Sequence, residues 1–175
     1  MMKNPMIKWG VYYGVASSAL MFLLWVINKD LLFNMAMGLV TSLAFAIAFL
    51  VLAMRETRTI NEGYLGYGEA VKIGLGTFAI AALVSGVFTF LLYNIIDGSL
   101  YDLEKAKAIE SVEKIAASFG ASDEVIEDAV AESRDAIESM GSNKGIGTYL
   151  QEWLLSVIIY GLPCSLIISA FMKKS

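Results

Sequence analysis

Four long stretches of this chain carry no charged residue: Trp9 to Asn28, Leu31 to Met54, Ile73 to Ile96 and Trp153 to Met172, of 20, 24, 24 and 20 residues. A hydrocarbon core of about 30 Å needs about 20 helical residues to cross it. A central Leu, Ile, Phe or Val contributes about −0.3 to −0.6 kcal/mol to insertion, whereas a central charge costs about +2.5 to +3.5 kcal/mol. Stretches this apolar are therefore predicted to insert as four transmembrane helices. Backbone polar groups in lipid are satisfied only by a helix or a closed barrel, and none of the four alternates with period two, so helix is expected. The first stretch continues as Phe22–Ile27 beyond its small-residue cluster, Ala16–Ala19, and is expected to be a span and not a cleaved leader.

Composition agrees. Of 175 residues 57% are apolar and 17% charged, and the mean hydropathy is +0.64, more apolar material than a soluble domain of this size can hide. The chain has one Cys and no His. An internal disulfide, His-based catalysis and His-ligated metal are excluded.

Asn28, Lys29 and Asp30 separate the first two stretches, room for a tight turn between antiparallel helices. The third connection, about 97–147, is the large one and holds five basic residues against twelve acidic ones, in a chain whose net charge is −4. Lys3, Lys8, Arg55, Arg58, Lys72, Lys173 and Lys174 fall at one end of the spans, and Lys29 lies by the turn opposite. The positive-inside rule then predicts both termini in the cytoplasm and 97–147 on the far side. Trp9, Tyr12, Tyr13, Tyr64, Tyr67, Tyr93, Tyr149 and Trp153 stand at the span ends, where interfacial aromatics are expected. The expected architecture is all-α: residues 1–175 as one membrane domain, a four-helix bundle with an extramembrane acidic helical hairpin between the third and fourth spans.

An ionisable side chain within a span would point to a proton relay or ion path. The four stretches contain none, which argues against carboxylate-driven transport. Small residues do recur at four-residue spacing: Gly10 and Gly14; Gly38, Ser42 and Ala46; Ala82 and Gly86; Gly161, Ser165 and Ser169. Such stripes let helices approach closely where lipid supplies no hydrophobic drive. They are read as packing within one bundle, or, where a stripe such as Gly10 and Gly14 is left over, as a homodimer seam. Pro163, inside the fourth span, removes one helical hydrogen bond and frees the Ile159 carbonyl, so a kink is expected near Gly161. Cys164 reads as a small packing residue.

The stretch GYLGYGEAVKIG, Gly63 to Gly74, has glycines spaced like a phosphate cradle, but it lacks the Gly-Lys-Ser/Thr ending of a P-loop and the strand a dinucleotide site requires. It is expected to lie in the headgroup zone, with Glu69 and Lys72 placed to pair at i,i+3. In the acidic insertion Leu103, Ala106, Ile109, Val112, Ala116 and Phe119 predict one amphipathic helix, stopped by Gly120. Ser122 then caps a second, whose apolar face is Val125, Ile126, Ala129, Val130, Ser133, Ile137 and Met140, ended by Gly141. Val125, Ile126, Ala129 and Ile137 are the candidate partner face. Asp123, Glu124, Glu127 and Asp128 lack calcium-loop spacing and are read as capping and solvated residues. The negative charge argues against nucleic acid or an anionic lipid surface as a ligand of the hairpin.

The lysine-bearing lead into a glycine-containing first span, the GYLGYGEAVKIG stretch, YNIID at Tyr93 to Asp97, the acidic insertion and the finish LIISAFMKKS, in that order and spacing, resemble the bacterial membrane family called domain of unknown function 4199. The resemblance covers nearly the whole chain. It implies a small four-span protein of the Gram-negative inner membrane and implies no activity, cofactor or catalytic residue. Family members often follow the exit Asp with Pro, where this chain has Gly98.

Three functions are compatible with these residues. A non-enzymatic structural or accessory protein, with the lipid bilayer and either a second copy or a protein docked on the hairpin as partners, is the leading expectation, without a cofactor. A small-solute transporter or channel subunit would line its path with Ser17, Thr41, Ser85 and Ser165. A membrane enzyme acting on envelope lipid precursors would need Glu69, Lys72 and Asn94 to converge.

Overall fold

The computed structural model describes residues 4–120, 122–139 and 145–173. Every regular element among them is helical: α1 (Pro5–Ile27), α2 (Met35–Ile60), α3 (Tyr67–Leu91), α4 (Leu100–Ser118), α5 (Asp123–Ser139), α6 (Ile146–Ser156) and α7 (Leu162–Met172). A 3-10 turn, Lys29–Phe33, joins α1 to α2. A π-turn, Leu92–Ile96, extends α3, and a second, Val157–Gly161, joins α6 to α7 into one rod. Four helical rods, Pro5–Ile27, Met35–Ile60, Tyr67–Ile96 and Ile146–Met172, are long and apolar enough to cross a bilayer. Helices α4 and α5 form the hairpin between the third and fourth.

Side-chain chemistry sets the rod ends. Three asparagines cap in the first 34 residues: Asn4 Oδ1 accepts from the Met6 N–H, Asn28 Oδ1 from that of Asp30 and Asn34 Oδ1 from that of Met37. The Asn34 cap explains why the second rod begins at Met35 and not at Leu31: Leu31–Phe33 are apolar, but they wind as the 3-10 turn. At the other end α2 continues six residues beyond Met54, because a charged residue ends an insertion window without ending a helix.

The chain divides into two compact units, one of residues 1–90 with 146–175 and one of 91–145. In the first, small, polar and aromatic residues share the interior with Leu50, Met54 and Leu65, while many large aliphatic residues face outward. Ala46, Ala53, Ala70, Ala81, Thr57, Thr77, Ser165 and Ser169 are buried, whereas Val40, Ile47, Val87 and Ile167 are exposed. Only 11–17% of the most apolar window of each rod is buried within the protein. So much exposed apolar surface is tenable only against lipid, and the chain is a multi-pass membrane protein. An aromatic cluster fills the centre: Tyr13 stacks on Phe49 at 5.3 Å between ring centroids and meets Phe45 and Phe78 edge-on.

The register between rods can be read from their closest approaches. Gly76 meets Met6, Gly10 meets Ile80 and Gly14 meets Val84, pairs with a constant offset of 70, so α1 and α3 run parallel. Gly161 meets Phe78 and Gly74 meets Ser165, pairs with a constant sum of 239, so the rod ending in α7 runs antiparallel to α3. Pro163, with no N–H to donate, is accommodated by the π-turn before it, where the Leu162 N–H reaches the Val157 carbonyl. The Pro163 perturbation therefore takes the form of a widened turn ending at Gly161.

In the second unit, Tyr93 and Tyr101 meet edge-on at 5.1 Å and the Tyr101 hydroxyl donates to Asn94 Oδ1. Asp97 Oδ1 accepts from both the N–H and the Oγ of Ser99, an Asx turn that starts α4, with Gly98 inside it. Helix α4 ends where Gly120 takes a left-handed φ of +72°. Phe119, expected on the packed face, lies past the last helical residue and is 85% exposed, and Ala106 is exposed as well. On α5 the half-buried positions are Ile126, Ala129, Val130, Ser133 and Ile137, a helical stripe on the helix that packs against α4. Met140 and Gly141, expected to end this face, and the terminal Lys3 and Lys174 lie outside the described residues.

Candidate functional site

The last two turns of α2 hold the densest polar arrangement among the described residues of the membrane unit. Arg55, Arg58 and Thr59 stand at i, i+3 and i+4 and so share one helix face. Glu56 lies on a different face, towards α1, where Lys8 Nζ donates to both its carboxylate oxygens at 2.8 and 3.0 Å and Trp9 Nε1 donates at 2.6 Å. Lys8 also sits 4.9 Å from the Trp9 ring centroid. Buried Thr57 closes the turn between these faces by donating its hydroxyl to the Ala53 carbonyl.

The α2–α3 connection is a tight reversal. Glu62 at φ 54° and Gly63 at φ 95° turn the chain, the Gly63 N–H bonds the Arg58 carbonyl, and Arg58 Nε donates back to the Gly63 carbonyl at 3.1 Å. Leu65 is fully buried in the core, pinning the loop, and the Ala70 N–H takes the Gly66 carbonyl as α3 begins. These bonds make the connection short and braced. Glu69 accepts from Asn61 Nδ2 at 2.9 Å and does not pair with Lys72, which is exposed. Around the reversal, Arg55, Arg58, Thr59 and Gly63 line an open concavity of about 430 Å³.

A second arrangement lies at the α3–α7 seam. A β-carbon on Gly74 would meet Ser165 Oγ at 3.0 Å and Met54 Cε at 2.7 Å, and one on Gly161 would meet the Phe78 ring at 2.6 Å. Thr77, Ser165 and Ser169 are buried here, and their hydroxyls have no hydrogen-bond partner among the described residues. Further along, an apolar cavity of about 250 Å³ between α3 and α6 is lined by Gly86, Phe90, Tyr149 and Trp153 among others. Phe90 meets Tyr149 edge-on and Trp153 Nε1 donates to the Ala79 carbonyl across it.

The small-residue positions thus separate by location. Gly10 and Gly14 lie against α3 with no room for a β-carbon, Val84 Cβ standing 2.5 Å from where that of Gly14 would be, so this stripe is not left over for a second copy. Gly161 and Ser165 lie at the α3–α7 seam. Gly38 and Ser42 are exposed, and Gly38 has nothing within 4 Å, so it packs against no described helix of this chain. Gly86 opens onto the apolar cavity instead of meeting a helix. Of the candidate partner face, Ile126, Ala129 and Ile137 belong to the half-buried stripe of the α4–α5 pair, and Val125 is exposed.

Glu69 accepts from Asn61, and Asn94 accepts from Tyr101. Thr41 and Ser85 donate their hydroxyls to the carbonyls of Met37 and Ala81 on their own helices, bonds that need no solvent. Asp123, Glu124, Glu127 and Asp128 line the exposed start of α5, and among the described residues no three His, Cys, Asp or Glu side chains gather to hold a metal. Charge counting registers Arg55 and Arg58 only as orientation signals. Their spacing with Thr59 was the legible hint of a shared face, whereas the engagement of Glu56 by Lys8 and Trp9, 48 and 47 residues away, has no sequence signal.

No curated protein and no solved structure matches the chain. Four apolar rods, an inserted helical hairpin and the ordered motifs along them agree with one family: the model of DUF4199, a protein of unknown function, matches residues 8–174, and the chain belongs to that family.

Proposed function

We propose that this is a non-enzymatic accessory protein of the bacterial inner membrane, with both termini cytoplasmic, that presents the α4–α5 hairpin in the periplasm to a partner with a basic surface. The observation that carries this reading is the hairpin's own construction. Residues 91–145 form a compact unit whose half-buried stripe belongs to the α4–α5 pair, while Glu124, Glu127, Asp128, Glu132 and Asp135 of α5 remain exposed. Docking is then electrostatic, which suits selection among partners and rapid association. The aromatic and small-residue filling of the bundle supports a scaffold role for the spans. The orientation is supported by Lys8, Arg55, Arg58, Lys72 and Lys173, which all fall at the end of the rods where α1 begins and α2 ends.

The test is crosslinking and co-purification of the full chain from native membranes, comparing wild type with E124Q/E127Q/D128N and with a deletion of 100–140. Both variants should lose the same crosslinked protein, the first in a salt-sensitive manner. Unchanged recovery in both would refute docking through the hairpin. Reporter fusions that put the insertion and the C-terminus in one compartment would refute the orientation.

A further inference from the structure

We infer that Arg55 and Arg58, in the concavity at the α2–α3 reversal, bind the phosphate of an anionic lipid headgroup. Two cationic side chains share this face, and the nearby carboxylates Glu56 and Glu69 are held elsewhere. Glu56 is engaged by Lys8 and Trp9 on a different face, Glu69 accepts from Asn61, and Glu62, in the same loop, forms no ion pair with either arginine among the described residues. Arg58 uses Nε to hold the Gly63 carbonyl, which fixes the guanidinium while its two terminal nitrogens stay available. Arg55 is exposed and makes no ion pair among the described residues. Thr59 lines the wall, its hydroxyl donated to the Arg55 carbonyl, so the guanidinium groups supply the recognition. A planar guanidinium fork matches tetrahedral phosphate oxygens in a bidentate way that an ammonium does not.

Position favours a lipid over free phosphate as the source. Arg55 immediately follows the charge-free stretch that ends at Met54, so the concavity sits at the rim of a membrane rod. Ile60 and Tyr64, next to it in the chain, are exposed, which suits acyl and interfacial surroundings. Basic pockets at span ends are suited to anionic headgroups. The inference is independent of the hairpin and does not require either orientation.

The full chain in neutral detergent would be titrated with dispersed phosphatidylglycerol, phosphatidylcholine or inorganic phosphate, with bound lipid counted by native mass spectrometry. Phosphatidylglycerol should bind about tenfold more tightly than phosphatidylcholine, and R55Q/R58Q should abolish that preference, as loss of charge-assisted hydrogen bonds implies. K72Q, removing an exposed cation outside the concavity, should leave the preference intact. R55K/R58K, which keeps both charges and serves as the folding-safe variant, should retain only part of it. Wild-type preference in either arginine variant would overturn the proposal, as would an equal loss in K72Q. Displacement of bound phosphatidylglycerol by inorganic phosphate at equal concentration would overturn the lipid assignment in favour of free phosphate.

Discussion

The bundle and the hairpin are built from the same element by opposite rules. In the bundle, alanine, serine and threonine face inward beside a few large residues such as Leu50 and Met54, and Val40, Ile47, Val87 and Ile167 face outward. In the α4–α5 hairpin, Ile126, Val130 and Ile137 are half-buried, and Asp123, Glu124, Glu127, Asp128, Glu132 and Asp135 of α5 are exposed. The difference follows the solvent. Lipid is as apolar as leucine, so burying leucine against leucine gains little there, and close backbone approach holds helices together. Water rewards burial of the same aliphatic groups at roughly 25 cal/mol per Å².

The most forceful way to break this comparison is to test close approach directly. Gly14→Leu should destabilise the detergent-solubilised protein by about 3 kcal/mol, because overpacking a fixed seam forces backbone shifts, and Val84 Cβ stands 2.5 Å from where the new β-carbon would be. Gly38→Leu, with nothing within 4 Å, should stay within about 0.5 kcal/mol. Thermal or denaturant unfolding monitored by circular dichroism reads both, and equal effects would remove the seam from the account.

A smaller effect is expected on the hairpin side. Ile126→Asp should cost about 2 kcal/mol locally by placing an unpaired carboxylate in the half-buried stripe, while the neighbouring Val125→Asp should be close to neutral. Limited proteolysis within 100–139 should therefore accelerate in the first variant and not in the second. Reversed sensitivities would mean that α5 presents its other face to α4.

The smallest effect sharpens the comparison through pH. Glu110 accepts from Lys107 and Lys114, at 2.8 and 2.6 Å, and these bonds lower its carboxyl from 4.5 to about 2. A depressed folded-state value stabilises the hairpin above the ordinary carboxylate range, and that contribution is lost as pH falls from about 4.5 through about 2. Glu110 is partly exposed, so the effect is slight and screened by salt. In K107A/K114A, where neither lysine depresses the Glu110 carboxyl, the shallow acid-induced loss of hairpin protection from amide exchange between about pH 4.5 and about 2 should largely disappear.

Much of this was legible in the residues. The charge-free stretches identify the rods because the cost of a charge in lipid is paid locally, at each position, whatever its neighbours. Gly120 was readable for the same reason: a cap concerns a few adjacent atoms. Asn34 was overlooked as a cap because Leu31–Phe33 continue the apolar stretch that precedes it. Phe119 fits helical spacing, yet it follows the last helical residue, so periodicity placed it on a face that α4 no longer has there.

The sequence by itself determined that four rods cross lipid, that an acidic helical pair is inserted between the third and fourth, and at which end the basic residues gather. Each rests on a transfer or capping energy that a short segment carries alone. Only the tertiary structure decided which small-residue stripe meets a helix. Gly14 and Gly38 present the same missing side chain, and what distinguishes them is that Val84, 70 positions along, stands beside one and nothing stands beside the other. Engagement of Glu56 by Lys8 and Trp9, leaving Arg55 and Arg58 on a separate face, was decided in the same way. Such pairings depend on distance in space, which chain order does not encode until helices have a register.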